Sequence, residues 1–348
     1  MIERFGLTPD FSISRMIKGG WQLSEGHSAG LMSDPVADMA AFVRAGITTF
    51  DCADIYTGVE EVIGKYLTHL RSSGGRLDGV QVLTKFVPDY DALSGLTKAY
   101  VVKVVDRSLR RLGLDRLDMV QFSWWSYDID GWLEAAHWLD ELRKEGKIRY
   151  VSATNFNTKY TRDLLSSGVP LKTLQVQYSL LDNRPEKELA QLCLERGPRM
   201  LCYGTVAGGF LSESWLGKAE PSAPFANRSL VKYKLIIDDF GGWDLFQELL
   251  TVLKRIADRH NVGIANVAMR YVLNQPAVAG IIVGARTAAH LDENVRTFSF
   301  AMDPSDLSAI RQVISRRKGL VGDVFDLERV KDGPHGRIMR YNLNRVEL

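Results

Sequence analysis

Short runs of apolar and β-branched residues alternate along this chain with longer segments whose apolar positions recur at helical spacing. The short runs predict eight strands, at 15–19, 48–51, 80–85, 118–122, 149–153, 173–177, 200–203 and 280–283. The longer segments predict helices at 35–45, 60–70, 97–112, 132–145, 158–166, 186–196, 245–274 with a break near Asn261, and 288–297. Such alternation is typical of βα units around a parallel sheet. Eight units predict an α/β fold of the (β/α)8 barrel type, the TIM barrel.

Two stretches do not follow this alternation. Residues 207–243, after the seventh predicted strand, contain glycines, prolines and aromatic residues and are too long for an ordinary connection. They are a candidate lid or binding loop. Residues 319–348 are predicted either as a disordered tail or as a cap over the pocket. The 348 residues therefore predict one barrel domain over 1–318 and a C-terminal extension over 319–348.

Charge and cysteine content narrow the class of partner. The formal net charge is +2, with acidic and basic residues interspersed, so no field that would attract nucleic acid or an anionic membrane is expected. Three cysteines at irregular spacing predict neither a disulfide framework nor a metal site. No signal peptide and no membrane-spanning apolar run is recognised. A cytoplasmic protein that acts on a small molecule is expected, and its oligomeric state stays open.

Polar residues at strand ends supply the candidate chemistry, because the C-terminal ends of barrel strands converge on one face. The motif FDCADIY places Asp51 at the end of the second predicted strand and Tyr56 in the next loop, and VQVLTKF ends on Lys85. A lysine ammonium beside a phenol lowers the tyrosine pKa, and a buried carboxylate orients the lysine. Tyr56 is therefore predicted to exchange a proton near neutral pH.

Seven motifs resemble, in order, the landmarks of the aldo-keto reductase family: FDCADIY, TKF, LDMVQFSWW, SATNF, LQVQYSLLDNR, CYGTVAGGFL and IIVGARTAAHLDEN. Members of this family are barrel oxidoreductases that reduce carbonyl groups with a nicotinamide cofactor and an Asp, Tyr, Lys and His tetrad. The resemblance implies an NADPH-dependent oxidoreductase, with NADH as the alternative, and gives tetrad roles to Asp51, Tyr56 and Lys85. The glycine-rich fingerprint of the Rossmann fold is absent, and the barrel binding mode does not need it.

The resemblance also implies which residues hold the nicotinamide end of the cofactor. Thr154, Asn155 and Gln175 would bind the carboxamide, and Tyr203 would stack beneath the ring. Further candidates for cofactor binding are Trp21, just past the first predicted strand, and Gly204, in the motif CYGTVAGGFL.

The loop and helix after the eighth predicted strand are the candidate site for the rest of the dinucleotide. Free backbone N–H groups and the helix dipole at this point favour a phosphate, with Arg286 as its charged partner. By resemblance, Arg286 and His290 would lie near a 2′-phosphate, and Glu293 and Asn294 near the adenine. Gly284 opens this loop.

One member of the family's tetrad is missing. Its histidine should fall in a stretch reading like QxHW, where this chain reads QFSWW with Ser123. A serine hydroxyl can hydrogen-bond but does not titrate in the working range. Family members with Glu at this position reduce a conjugated carbon–carbon double bond, so reduction of an enone stays an alternative. His27, in the loop GGWQLSEGHSAG, is a candidate substitute proton donor.

Aromatic residues near the strand ends predict an apolar or aromatic substrate pocket. The candidate wall consists of Trp21, Trp124, Trp125 and Trp243. Two other functions stay open beside the reductase: a cofactor-binding protein with little turnover, and a non-redox enzyme that catalyses a dehydration or rearrangement in secondary metabolism. The intact set of acidic, phenolic and ammonium groups favours an enzyme.

Overall fold

A computed structural model describes residues 1–24, 34–225 and 227–344 of the chain. The first two strands, β1 (Arg4–Thr8) and β2 (Phe11–Ser14), pair antiparallel. The following strands are β3 (Met16–Gly19), β4 (Thr49–Asp51), β5 (Gln81–Phe86), β6 (Leu117–Phe122), β7 (Ile148–Thr154), β8 (Thr173–Gln177), β9 (Arg199–Tyr203) and β10 (Val278–Gly284). These eight are parallel and close into a barrel, with β10 beside β3. The predicted TIM barrel and its eight strands are confirmed.

The β1–β2 hairpin closes one end of the barrel. Phe11 and Ile13 are buried against the interior residues Met119 and Leu201. The alternation of buried and half-buried positions in β2 gives this packing, because successive side chains of a strand point to opposite faces. Sequence analysis missed the hairpin, although the stretch from Thr8 to Asp10 carries a turn signal, with proline at its centre. The hairpin leaves only the C-terminal strand ends open for a site.

Helices surround the barrel and follow most of the predicted positions. Their bounds are α1 (Pro35–Arg44), α2 (Val59–Ser72), α3 (Lys98–Leu112), α4 (Trp132–Lys144), α5 (Thr158–Ser166), α6 (Leu189–Arg196), α7 (Arg228–Phe240), α8 (Trp243–Arg259), α9 (Ile264–Leu273), α10 (Leu291–Val295), α11 (Pro304–Ile314) and α12 (Asp326–Arg329). The long predicted helix is two helices, α8 and α9, with the break at the predicted place. The predicted helix at 288–297 is only the short α10 flanked by single 3-10 turns.

Three helices were not predicted: α7, α11 and α12. Helix α7 lies inside the stretch that was expected to be irregular, and it starts at Asn227, whose side-chain oxygen accepts from Leu230 N. Helix α11 starts at Asp303, which caps two backbone N–H groups ahead of a proline at the first helical position. Both caps are readable in the sequence. The expected lid at 207–243 therefore contains a 13-residue helix that packs on the loop after β9.

The C-terminal extension is not a disordered tail in its described part. It crosses the loops that follow β5 to β8, with α12 in its middle. Tyr341 O accepts from Tyr90 N at 2.8 Å, and Asn344 Nδ2 donates to Val87 O at 3.0 Å. Within the described residues, no helix is long and apolar enough to cross a membrane.

Candidate active site

A buried ion pair lies at the C-terminal end of the barrel interior. Lys85 Nζ donates to both carboxylate oxygens of Asp51, at 2.9 and 2.7 Å, and to Cys52 O at 2.8 Å. All three ammonium hydrogens therefore have an acceptor. Burial alone lowers the pKa of Lys85, but the adjacent Asp51 carboxylate outweighs it and raises the pKa above its ordinary value. Lys85 is permanently charged in this site.

The Tyr56 ring lies directly above this pair. Its centroid is 5.0 Å from Lys85 Nζ, and the Trp21 ring packs against it edge-on at 5.0 Å. Burial raises the pKa of Tyr56, while the Lys85 charge acts in the opposite direction. The sequence-based expectation of a lowered pKa is therefore wrong for the protein without ligand, because desolvation of the phenolate exceeds the effect of the ammonium. Tyr56 holds its proton at neutral pH.

Two glutamines complete the buried network, and one of them escaped sequence analysis. Gln121 Nε2 donates to Asp51 Oδ1 at 2.9 Å, and Gln175 Nε2 donates to the same oxygen at 2.6 Å and to Gln121 Oε1 at 2.8 Å. Gln121 pairs with Lys85 across β5 and β6, so both side chains point into the barrel. A polar residue two positions before Ser123 on a buried strand is the signal that could have revealed it.

Ser123 lies at the end of β6, where its backbone N–H donates to Phe86 O at 3.0 Å. The residue is buried, with 5% of its surface exposed. Within the described part of the chain, its hydroxyl has no hydrogen-bond partner, so it can serve a ligand. The other proposed proton donor, His27, lies outside the described residues.

The nicotinamide candidates lie together at the ends of β7, β8 and β9. Tyr203 donates its hydroxyl to Asn155 Oδ1 at 2.8 Å, and Thr154 Oγ1 donates to Gln175 O at 3.3 Å. Asn155 has a φ of 60°, which turns its side chain back over the strand ends. Gly204 also has a positive φ of 76°, and a Cβ there would lie 2.2 Å from the Tyr233 hydroxyl.

This donor set fits a carboxamide. In each of two side-chain amides, one polar atom is bonded within the protein: Oδ1 of Asn155 and Nε2 of Gln175. The other atom, the NH2 nitrogen of Asn155 and Oε1 of Gln175, has no partner among the described residues. One donor and one acceptor are thus available for a group that carries one acceptor and one donor. Tyr203 itself is only partly buried, as a residue that stacks beneath a ring would need to be.

The loop after β10 differs from the sequence-based expectation. Ala288 N donates to Asp38 Oδ1 at 2.9 Å, and Ala289 N donates to Thr287 Oγ1 at 3.3 Å. Two backbone N–H groups at this turn, where free groups were expected, are therefore occupied: one by the Asp38 carboxylate from α1 and the other by the Thr287 hydroxyl. Arg286 is exposed on the loop.

The remaining adenine-end candidates lie on the surface beyond this loop. The side chain of His290 is 80% exposed, and its Nδ1 lies 3.4 Å from Glu293 Oε2. Asn294 is half-buried on α10, and Gly284 is exposed at the end of β10. These contacts leave the adenine and phosphate roles as predictions.

The comparisons with known proteins decide the family. The sequence profile described as Aldo/keto reductase family matches residues 15–315. The chain belongs to this family. This aldo/keto reductase is accordingly an oxidoreductase that uses NAD(P)H to reduce a carbonyl group of a small molecule.

Known relatives of this aldo/keto reductase have several substrates. The NADH-specific methylglyoxal reductase of Escherichia coli (strain K12) is 25% identical over 321 residues, which are 88% of this chain and 96% of that protein. The chloroplastic pyridoxal reductase of Arabidopsis thaliana is 28% identical over 301 residues, 82% of this chain and 78% of that protein. The structure of a glycerol dehydrogenase from Gluconobacter oxydans shows the same fold, with a TM-score of 0.74, 22% identity, and coverage of 92% and 97%.

The structure corrects two of the four tryptophans proposed for the pocket wall. In this aldo/keto reductase, Trp124 is 1% exposed and donates Nε1 to Ile129 O at 3.0 Å, so it belongs to the core between barrel and helices. Trp243 is 8% exposed and packs in an aromatic cluster with Phe210, Trp215 and Phe246. Trp21 and Trp125 are half-buried and stay candidates for the wall.

The extension contacts the same strand ends. Arg329 Nη2 donates to Asn155 O at 2.7 Å and to Trp124 O at 3.2 Å. Glu328 is buried and forms an ion pair with Arg184 at 3.1 Å, and Lys232 Nζ of α7 lies 3.7 Å from the same carboxylate. The C-terminal extension of this aldo/keto reductase is thus fixed by buried charge pairs beside the nicotinamide candidates.

Proposed function

We propose that this aldo/keto reductase uses NADPH to reduce the carbonyl group of an apolar or aromatic small molecule, with Tyr56 as the proton donor. The observation that carries the proposal is the placement of Tyr56 over an ammonium whose three hydrogens are all bonded to Asp51 and Cys52. Such a charge is fixed before a substrate binds, so it needs no reorganisation when negative charge develops on the phenol oxygen.

The hydride for the carbonyl carbon would come from the dinucleotide when it is bound. Tyr56 supplies the proton to the carbonyl oxygen, because its raised pKa keeps the phenol protonated at neutral pH. Lys85 then stabilises the phenolate that is left. Asn155 and Gln175 would orient the carboxamide through the NH2 group and the oxygen described above.

Ser123 is proposed to orient the substrate oxygen. Its hydroxyl donates one hydrogen bond but does not exchange a proton near neutral pH, so Tyr56 carries the acid role alone. A serine also leaves more room than a histidine, which supports reduction of a conjugated enone as the second candidate reaction. The C-terminal extension is proposed to cap the pocket, since Arg329 ties it to the ends of β6 and β7.

The choice of NADPH rests on Arg286, whose guanidinium fits a 2′-phosphate. The Escherichia coli relative is named as NADH-specific, which makes NADH the alternative. Both dinucleotides therefore belong in the first experiment.

We expect Tyr56→Phe to lose at least about 10²-fold in turnover while its dinucleotide affinity stays within about twofold, because the phenol acts on the substrate and not on the cofactor. The measurement is NADPH and NADH consumption with aromatic aldehydes, ketones and enones, beside fluorescence titration of each dinucleotide. Trp125→Phe, which keeps a ring in the pocket wall, is the matched control.

Each result of this experiment selects a function. Turnover by the wild type that survives Tyr56→Phe would exclude Tyr56 as the donor. Dinucleotide binding without turnover on any compound would favour the cofactor-binding protein or the non-redox enzyme.

A further inference from the structure

A second buried lysine lies outside the network around Tyr56. Lys18 on β3 is 3% exposed, and its Nζ donates to Ala285 O at 3.2 Å. It also lies 5.3 Å from the centroid of the Phe42 ring. No second acceptor for this ammonium is found among the described residues, so two of its three hydrogens have no partner there. Burying a charge with so few bonds is costly unless the charge is used.

Asp38, the acidic residue that acts on this lysine, is also incompletely hydrogen-bonded. Asp38, in the first turn of α1, accepts from Ala288 N through Oδ1, while its Oδ2 is buried without a hydrogen bond. Its Coulombic effect raises the pKa of Lys18, but burial outweighs it and lowers that pKa to about 8. The two residues thus interact electrostatically, and each is incompletely hydrogen-bonded among the described residues.

Lys18 and Asp38 both form hydrogen bonds to the loop that follows β10. Lys18 bonds the carbonyl of Ala285 and Asp38 bonds the N–H of Ala288, on the two sides of Arg286. This loop follows the last strand of the barrel and leads into a short helix, which is where TIM barrels frequently bind a phosphate group. A charge at either residue therefore acts on whatever anion Arg286 contacts.

We propose that Lys18 and Asp38 determine how well this loop tolerates the phosphate that distinguishes NADPH from NADH. Asp38 repels an additional phosphate, and Lys18 compensates for that repulsion from beneath the loop. This inference rests on the proposed function, because it assumes that the dinucleotide binds at this face.

The charges around the loop give the sign of each effect. With Lys18 protonated, its positive charge offsets the negative charge of Asp38. When Lys18 loses its proton, the negative charge of Asp38 is uncompensated and opposes an anion. The affinity for NADPH should therefore fall as pH rises through about 8, and the affinity for NADH should fall less.

The test is a double-mutant cycle measured by fluorescence titration of NADPH and NADH with wild type, Lys18→Met, Asp38→Asn and the double variant. At pH 7 we expect Lys18→Met to weaken NADPH binding and Asp38→Asn to strengthen it. Each change should be about tenfold, as for a unit charge roughly 10 Å away at an effective dielectric constant of about 20. The double variant should return close to wild type, and NADH affinity should change less than NADPH affinity, because NADH lacks the additional phosphate.

The pH dependence separates this role from a merely structural one. Between pH 7 and 9 the wild type should lose NADPH affinity, whereas Lys18→Met should stay flat over that range. Lys65→Met, which removes an exposed lysine of α2, is the charge control and should keep the wild-type profile.

Two failures are distinguishable. If wild type binds neither dinucleotide, the proposed function is wrong. If wild type binds them but both single variants keep its ratio of NADPH to NADH affinity, the role of the charge pair is wrong and the proposed function stands.

Discussion

Two buried lysines of this protein differ in how well their charges are bonded. Lys85 has three acceptors, two of them carboxylate oxygens of Asp51, and its pKa is raised. Among the described residues Lys18 has one acceptor, a backbone carbonyl at 3.2 Å, and its pKa is lowered to about 8. Both are nearly inaccessible, with 5% and 3% of their surface exposed. Burial is therefore common to the two lysines, and the acceptors around each ammonium decide whether its pKa is raised or lowered.

The difference separates a fixed charge from an adjustable one. A fully bonded ammonium keeps its proton at every physiological pH and suits a site that must stabilise a phenolate in each catalytic cycle. An under-bonded ammonium titrates near pH 8 and can respond to an anion beside it. Changing each lysine to methionine, which keeps the length of the side chain, should therefore have opposite consequences.

The largest effect is expected for Lys85→Met. Removal of the ammonium leaves Asp51 buried without its cation, and breaking a buried pair in this way costs about 3–5 kcal/mol in the free energy of unfolding. Turnover should fall by at least about 10²-fold, because Tyr56 loses the charge that stabilises its phenolate. Urea unfolding and carbonyl reduction at pH 7 measure the two quantities.

The double variant Lys85→Met with Asp51→Leu is the control for stability. It removes both charges, so it should recover most of the lost unfolding free energy but none of the activity. A Lys85→Met protein as active as wild type would contradict the assignment of the fixed charge to Tyr56.

The fold and the fixed charge were predictable from sequence for the same reason. The strands are short apolar runs, and Asp51 and Lys85 stand at strand ends, where barrel geometry brings residues together whatever their spacing in sequence. Gln121 was missed because it interrupts the apolar run that predicts a buried strand. Its role becomes clear only when its partner, Asp51, is known to lie beside it.

The under-bonded pair could not be predicted in this way. Lys18 stands inside a strand and Asp38 inside a helix, and either would ordinarily be interpreted as an exposed charge. Their role depends on a contact of Asp38 with Ala288, 250 residues further along the chain. The same long-range contact occupies one backbone N–H group, that of Ala288, in a segment where local sequence predicted free N–H groups. Local patterns thus identified the barrel and part of its site, but not the contacts between α1 and the last loop.

A smaller effect of opposite sign is expected for the stability of Lys18→Met. In the folded protein the pKa of Lys18 lies at about 8, below its ordinary value of 10.5, so the fold disfavours the charged form. Removing the charge should raise the unfolding free energy at pH 7 by roughly 1–3 kcal/mol. The gain should be full below pH 8 and shrink as pH rises from about 8 through 10.5, because only above 10.5 is the wild-type lysine neutral in both states.

Urea unfolding of wild type and Lys18→Met at pH 7 and pH 10 measures this gain. Lys65→Met, with its exposed side chain, should change stability by less than about 0.5 kcal/mol at either pH. A loss of stability at pH 7 would show that Lys18 is a structural residue, and would remove the contrast with Lys85.

The smallest effect is expected for Gln121→Leu. This variant tests whether Gln121 affects how strongly the Lys85 ammonium stabilises the Tyr56 phenolate. The variant removes one of the three donors to Asp51 Oδ1, at 2.9 Å, and leaves those of Lys85 and Gln175. A less satisfied carboxylate attracts the Lys85 ammonium more strongly, so the ammonium stabilises the Tyr56 phenolate less. Turnover should fall by about three- to tenfold, on the order of one hydrogen bond to a charged group, and the alkaline limb of kcat/KM should move to higher pH. Dinucleotide affinity should change little, because Gln175 loses its bond to Gln121 Oε1 but keeps its bond to Asp51 Oδ1 at 2.6 Å. Reduced turnover with an unmoved pH profile would mean that Gln121 only fills the barrel, and that Asp51 and Lys85 set the charge without it.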